Sequence, residues 1–150
     1  MDKIKELIDA LYDKDNKFAY ECLKKLEAES RKSNILYSYF NTFVQMLDDS
    51  NSYIRTRGLI LISANAKWDI DYKIDEIIDE YLKHITDEKP ITARQCIKSL
   101  PDIAQYKPDL IDSISIALKR ANVEKYADSM KSLIYKDIQT ALKKIGNLKA

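Results

Sequence analysis

The chain has 150 residues, of which 45% are apolar and 33% charged, a balance typical of a soluble helical protein and too apolar for intrinsic disorder. It contains only 2 glycines and 3 prolines, which excludes a β-rich or loop-rich fold because such folds need many turn residues. The formal net charge of +1 argues against a globally basic, phosphate-binding domain and leaves a local basic patch as an open alternative.

The first half of the chain predicts five amphipathic helices separated by polar clusters. Apolar residues recur at helical spacing in each segment, and short runs rich in Asp, Asn and Ser interrupt them. Asp15 or Asn16 is suited to cap the second helix, Ser33 the third and Ser52 the fourth, while Asp69 or Asp71 opens the fifth. The predicted helices are about 4–11, 16–29, 33–47, 53–66 and 71–85.

Three further helices follow in the second half. Pro90 suits the first position of the sixth helix, and Pro101 should kink or end that helix near Leu100, because proline removes a hydrogen bond and clashes with the preceding turn. Asn122 is expected to cap the last helix and Gly146 to end it. These helices are predicted at about 91–105, 108–120 and 123–145.

An apolar pattern repeats along the chain at a spacing of 38 residues. Six apolar residues of the third helix return in the fifth at relative positions 0, 3, 4, 7, 8 and 11, which lie on one face of an α-helix. The second helices repeat after 36 or 37 residues. Such a period is typical of stacked helix pairs that bury their apolar faces only against neighbouring pairs. The two sets are Leu36, Tyr39, Phe40, Phe43, Val44, Leu47 and Ile74, Ile77, Ile78, Tyr81, Leu82, Ile85.

The turn Asp49–Arg55 followed by Gly58 resembles the HEAT-like repeats, in which an Asp-rich turn leads into a helix that opens with an apolar–Arg pair and a small residue. Thr92–Pro101 and Tyr126–Met130 are also similar to small bacterial HEAT-like proteins. The resemblance covers about residues 11–121. It implies an all-α fold, a right-handed α-α superhelix of stacked helix pairs of the armadillo type. We expect one domain over 1–150, with a C-terminal capping helix at about 122–146.

Residues that could carry catalysis are sparse. His84 is the only histidine and is expected to be a solvated charge at the end of the fifth helix. Cys22 and Cys96 are too isolated for a disulfide framework or a zinc site, and their repeat positions favour burial as small apolar residues. The two glycines form no phosphate loop, and the His-Glu pairs of HEAT-like hydroxylases are missing. We therefore expect no enzyme activity, no cofactor and no metal.

Four residues are candidates for contact with a partner, namely Arg55, Arg57, Trp68 and Arg94. In HEAT-like arrays the second helix of each pair lines the concave face, and the three arginines lie near the starts of such helices. A structural alternative is open for Arg55, which can instead pair with a carboxylate of an adjacent turn, at Asp48, Asp49 or Asp87. Trp68 at a helix end can equally be a packing plug.

The sequence thus predicts a non-enzymatic scaffold or adaptor that binds a protein or peptide on a curved helical surface. The alternative is nucleic-acid binding or DNA-lesion recognition on a basic concave face, with weak affinity because the charge is balanced. Residues 1–6 lack the apolar run of a signal peptide, and the longest apolar stretch is far too short to span a bilayer. We expect a cytoplasmic monomer or weak homodimer that does not bind membranes.

Overall fold

The computed structural model of the chain describes residues 2–149. Those residues form α-helices joined by short 3-10 turns, and no β-strand occurs among them, so the predicted all-α class is confirmed. Eight α-helices lie within this range. They are α1 (Asp2–Asp9), α2 (Asn16–Lys32), α3 (Phe40–Met46), α4 (Ser52–Ala64), α5 (Lys73–Leu82), α6 (Pro90–Tyr106), α7 (Ile111–Arg120) and α8 (Asp128–Lys149).

The helices pack in pairs, and the second members of the pairs form a row. α1 packs on α2, α3 on α4, the 3-10 turn after α5 on α6, and α7 on α8. Along the row, α2 contacts α4, α4 contacts α6, and α6 contacts α8. We call α2, α4, α6 and α8 the second helices and their preceding partners the first helices. α4 and α6 therefore have neighbours on both sides, which explains why 8 of the 13 residues of α4 and 8 of the 17 residues of α6 are buried.

The twelve repeated apolar residues occupy equivalent environments. In each copy the residues at relative positions 0, 4, 7 and 11 are buried, and those at positions 3 and 8 are partly buried. The matched pairs include Leu36 with Ile74 and Phe43 with Tyr81, all four of which are fully enclosed. Burial of such side chains stabilises each by about 1.5–3 kcal/mol relative to exposure, so the pattern determines which face of α3 and of α5 points inward.

Hydrogen bonds between neighbouring second helices join residues about one repeat apart. Two of them link positions separated by 36 residues and a third links positions separated by 35. Their lengths are 2.8–3.1 Å, which is ordinary hydrogen-bond geometry. They join Thr56 to Thr92, Ser63 to the Ser99 carbonyl, and Asn65 to Ser30. Buried polar groups of the row thus satisfy one another across successive pairs.

Side-chain caps explain several helix starts. The Asp15 carboxylate accepts hydrogen bonds from two amides in the first turn of α2, as predicted. At α4 the capping side chain is Asn51 rather than Ser52. Asp69 lies four residues before α5 and accepts both of its first two amides at 2.9 Å. The intervening loop brings it there, with Tyr72 in a left-handed backbone conformation at φ 57°.

Four predicted boundaries differ from the structure. The third helix is a 3-10 turn (Ile35–Tyr39) before it becomes α3, and α8 starts at Asp128 and continues past Gly146. The prediction that Pro101 ends its helix near Leu100 is wrong, because α6 continues from Pro90 to Tyr106 with Pro101 inside it, and the alternative of a kink stays a prediction. A proline in a helix interior costs about 3 kcal/mol. Leu100 and Ile103 on either side of it are fully buried, and their packing outweighs that cost.

Candidate partner-binding face

Arg55 is a structural residue at the start of α4. Its side chain is only 9% exposed, and its Nε and Nη2 donate to the two oxygens of Asp87 at 3.0 and 2.8 Å. Nη1 donates to the carbonyls of Asp49 and Ser50 at 3.0 and 3.1 Å. The hydrogen bonds that Arg55 donates to Asp87 raise the pKa of Arg55. Asp87 is one of the three carboxylates that the sequence offered as a partner, and all three nitrogens of the guanidinium donate hydrogen bonds inside the protein.

Asp87 makes further contacts beside its ion pair with Arg55. The ring Nδ1 of His84 lies 2.7 Å from one carboxylate oxygen, the Lys89 amide donates to the other at 2.9 Å, and the Tyr126 hydroxyl donates to the Asp87 carbonyl. Burial acts to raise the pKa of Asp87, but the hydrogen bonds from His84 and Arg55 outweigh it and hold that pKa well below its usual range. His84 is therefore a half-enclosed partner of Asp87, which corrects the expectation of a solvated terminal charge.

Arg57 also points into the protein. It is 4% exposed, and it donates to the Leu11 carbonyl at 2.7 Å and to the Asn16 side chain at 3.1 Å. Burial lowers its pKa. These contacts connect α4 to the first helix pair, so Arg57 stabilises the stacking of α4 on α2. Its guanidinium is not part of the exposed surface.

Trp68 and Arg94 are partly exposed and likewise have internal partners. The Trp68 indole donates to the Ser30 carbonyl at 2.7 Å, which ties the end of α4 to the end of α2. Arg94 donates to both oxygens of Asp137 at 2.6 and 3.3 Å, which ties α6 to α8. The four residues predicted to meet a partner are thus dispersed over separate contacts between helices. The structure does not bring them together on one surface.

A buried lysine lies between α5 and the loop that precedes α7. Lys107 Nζ is 2.7 Å from Asp75 and 3.2 Å from Asp69, and it lies 4.4 Å from the centre of the Tyr72 ring. Burial favours the neutral amine, but the two carboxylates outweigh it and raise the pKa of Lys107. The amine therefore stays charged at neutral pH. A charged, ion-paired amine is a poor nucleophile, so this cluster stabilises the fold rather than offering covalent chemistry.

Residues 2–149 contain no exposed thiol and no cluster of metal-binding side chains. Cys22 and Cys96 are both buried and unpaired, and burial raises the pKa of the Cys96 thiol. No group of three or more His, Cys, Asp or Glu side chains in this range is arranged to hold a metal ion. None of the helices described is both long enough and apolar enough to cross a membrane.

Two shallow grooves open on the exposed side of the second helices. The first has a volume of about 210 Å³ and lies where α2, α4 and α6 end. The second has a volume of about 240 Å³ and lies between α6 and α8. The first is lined by Arg31, Ser63, Ala64, Lys67, Asp102, Gln105 and Tyr106, and the second by Lys98, Pro101, Asp137, Thr140, Ala141 and Lys144.

Both grooves share α6. Lys98 and Asp102 are four residues apart and therefore lie on the same side of that helix, one turn from each other. The two grooves are therefore neighbours on α6, one turn apart. We call the surface that they form together the α6 face. It combines cationic side chains with carboxylates, an exposed tyrosine and small apolar residues.

Charge is unevenly divided between the two sets of helices. The second helices carry 14 Lys and Arg residues against 6 Asp and Glu residues, whereas the first helices carry 5 against 8. Arg55 and Arg57 are buried, so 12 of the 14 cations in the second helices contribute to their surface. The near-zero net charge of the whole chain thus conceals an excess of cations on the second helices, most of them on α2 and α8 at the ends of the row.

None of the cations of the α6 face was among the residues predicted to contact a partner, which were mainly arginines near helix starts. A signal was present in α2, where Lys17, Lys24 and Arg31 recur every seven residues and therefore lie along one side of the helix. That spacing identifies Arg31 of the α6 face but not Lys67, Lys98 or Lys144, whose exposure depends on how the helices stack.

Comparisons of the chain with protein-family models, with curated proteins and with solved structures find no match. The resemblance to HEAT-like repeats therefore stays a prediction based on the residues of the chain.

Proposed function

We propose that the chain is a HEAT-like helical-repeat scaffold without enzyme activity, which binds a protein or peptide partner on the α6 face. One observation carries the proposal. The side chains best suited to catalysis or ligand binding are engaged in ion pairs inside the protein. Arg55 pairs with Asp87, and Lys107 pairs with Asp69 and Asp75. The α6 face, by contrast, presents Lys98 and Lys144 to solvent.

The repeat architecture in this proposal is supported by the periodic contacts. A right-handed superhelix requires each pair to meet the next in the same way, and hydrogen bonds that link positions 35–39 residues apart recur along the described chain. They occur both within the row of second helices and at the loops, where Lys107 donates to the Asp69 carbonyl and Tyr126 to the Asp87 carbonyl. A stack of this kind supplies an extended surface, which is what partner-binding repeat proteins use.

Nucleic-acid binding is the second candidate, and the excess of cations on the second helices favours it. The phosphate-binding residues would then be Lys98, Lys144 and the cations near them. They differ from the arginines predicted from the sequence, because Arg55 and Arg57 are buried. Asp102 places a carboxylate between the cations of the two grooves, where it would repel a phosphate backbone. We therefore rank this candidate below protein binding.

Site-specific photo-crosslinking in the native host tests the proposal. A photo-reactive amino acid placed at Gln105 on the α6 face should yield a discrete protein adduct. The matched control is the same amino acid at Ile116, which is 48% exposed on α7, among the first helices. We expect the adduct only from position 105, and mass spectrometry of the adduct identifies the partner.

Other outcomes of this experiment are informative. Adducts that contain nucleic acid but no protein would favour the second candidate. Equal protein adducts from positions 105 and 116 would place the contact outside the α6 face. No adduct from either position, with a chain shown to be folded, would contradict the proposed function.

A further inference from the structure

We infer that the segment bound by the α6 face is an acidic, extended polypeptide stretch that carries apolar side chains beside its Asp or Glu residues. This inference rests on the proposed function, because it names the chemistry of that partner. The structural basis is a pair of lysines without an ion-pair partner, Lys98 and Lys144, and two further exposed or partly exposed cations, Arg31 and Lys67, beside small apolar residues in the same two grooves.

The lysines of the α6–α8 groove are free to bind an anion. Among residues 2–149, neither Lys98 nor Lys144 takes part in an ion pair, and both are exposed. Asp137, the carboxylate of that groove, is bound by Arg94 through two hydrogen bonds and is therefore neutralised. The groove consequently presents two uncompensated positive charges next to the Thr140 side chain. Carboxylates of a partner would complete these contacts.

The groove at the ends of α2, α4 and α6 carries two more cations. Lys67 donates to the Arg31 carbonyl, and Arg31 pairs with Glu27 at 3.1 Å while remaining 66% exposed. An exposed pair of this kind has little net stability, so a partner carboxylate can replace Glu27 at small cost. Arg31 and Lys67 therefore extend the positive side of the face beyond α6.

Apolar contacts on the same face favour a polypeptide over a polyphosphate. Pro101 and Ala141 line one groove, and Ala64 and the half-exposed Tyr106 line the other. A nucleic-acid backbone places a charge at every residue and would bring phosphates close to Asp102. In an extended peptide only every second side chain faces the surface, so residues two apart can place a carboxylate at Lys98 and a small apolar side chain at Pro101 or Ala141 without bringing a charge to Asp102.

Selection from a displayed library of random 12-residue peptides, carried out on the immobilised full chain, tests the inference. We expect the enriched peptides to be richer in Asp, Glu and apolar residues than the starting library. Charge reversal with Lys98→Glu and Lys144→Glu should weaken the binding of the best peptide at least about tenfold. Lys83→Glu with Lys119→Glu is the matched control, since it makes the same charge change on the first-helix side and should retain binding.

The outcomes separate this inference from the proposed function. Enrichment of neutral or basic peptides would overturn the inference that the partner segment is acidic, and so would binding that the Lys98 and Lys144 reversal does not affect. Neither result would contradict the proposed function, which is tested separately by the protein adduct at position 105. The single-stranded oligonucleotide dT12 is measured in parallel by fluorescence anisotropy, and tighter binding of dT12 than of the best peptide would overturn it as well. If the reversal variant does not fold by circular dichroism, Lys98→Gln with Lys144→Gln replaces it.

Discussion

Arg55 and Asp87, 32 residues apart in the chain, form a two-point ion pair that joins the start of α4 to the turn before α6. Both side chains are almost fully buried, at 9% and 3% exposure. A buried ion pair of this geometry stabilises the fold little more than well-packed apolar residues of similar volume would. The loss of one partner, however, leaves an unpaired charge in the interior, which is strongly destabilising. The pair therefore makes the stacking of these two helix pairs sensitive to each of its members.

We expect Asp87→Ala and Arg55→Met each to lower the free energy of unfolding by about 3–5 kcal/mol, because either change leaves a buried group without its partner. The double variant should lose less than the sum of the two, with a coupling energy above about 1 kcal/mol. Denaturant unfolding of the four proteins measures this cycle. The exposed pair of Lys5 and Asp9 is the control and should show no measurable coupling. Additive losses at Arg55 and Asp87 would contradict the role of the pair.

Acid should destabilise the protein through the same carboxylate. The folded protein holds the pKa of Asp87 below its value in the unfolded chain, which is about 4. The ionised group therefore stabilises the fold above about pH 4, and this contribution is lost as the pH falls toward the folded pKa. We expect the free energy of unfolding to decrease steeply from about pH 5 to pH 2, and Asp87→Asn to flatten the decrease. Asp79→Asn, which removes an exposed carboxylate, should keep the wild-type slope.

The two glycines should respond to alanine in opposite directions. A Cβ at Gly58 would lie 2.9 Å from both the Met46 Cβ and the Phe43 carbonyl oxygen, so α3 and α4 would have to separate. We expect Gly58→Ala to cost about 1–3 kcal/mol of unfolding free energy. A Cβ at Gly146 meets no atom within 4 Å, and Gly146→Ala should stabilise α8 by up to about 1 kcal/mol. Thermal and denaturant unfolding compare the two variants.

The cysteines should react slowly in the folded protein. Cys96 is completely enclosed and Cys22 is 4% exposed, and burial raises the pKa of the Cys96 thiol, which reduces its reactive thiolate form. Labelling with a thiol reagent at pH 8 should be at least about a hundredfold slower in buffer than in denaturant, because it requires local opening. Rapid labelling of both thiols without denaturant, or a disulfide between them, would contradict the packing described above.

Removal of α8 tests its role at the end of the row. α8 packs on both α6 and α7, and Ile134, Ile138 and Ala141 are buried there. A chain truncated after residue 121 should lose solubility or unfold at a much lower temperature, because the apolar sides of α6 and α7 would face water. A truncation after Gly146, which keeps all buried residues of α8, is the control. A soluble and equally stable chain of 121 residues would mean that α8 is an independent arm.

Local patterns in the sequence predicted the helices well. Apolar residues at helical spacing identified the buried faces of α3 and α5, and the position of Asp15 predicted the start of α2, because these features depend on neighbours in the chain. The prediction of a helix end failed at Pro101, where burial of Leu100 and Ile103 by other helices overrides a local helix breaker.

The sequence by itself determined the all-α class, the period of the repeat and the apolar face of each helix, because side-chain spacing and capping act within one or two turns. Only the tertiary structure decided which charged side chains are available. Arg55, Arg57 and Arg94 find partners 32, 46 and 43 residues away. Such distant contacts depend on how the helix pairs stack, and that stacking engaged the three arginines in internal hydrogen bonds while leaving Lys98 and Lys144 exposed on the α6 face.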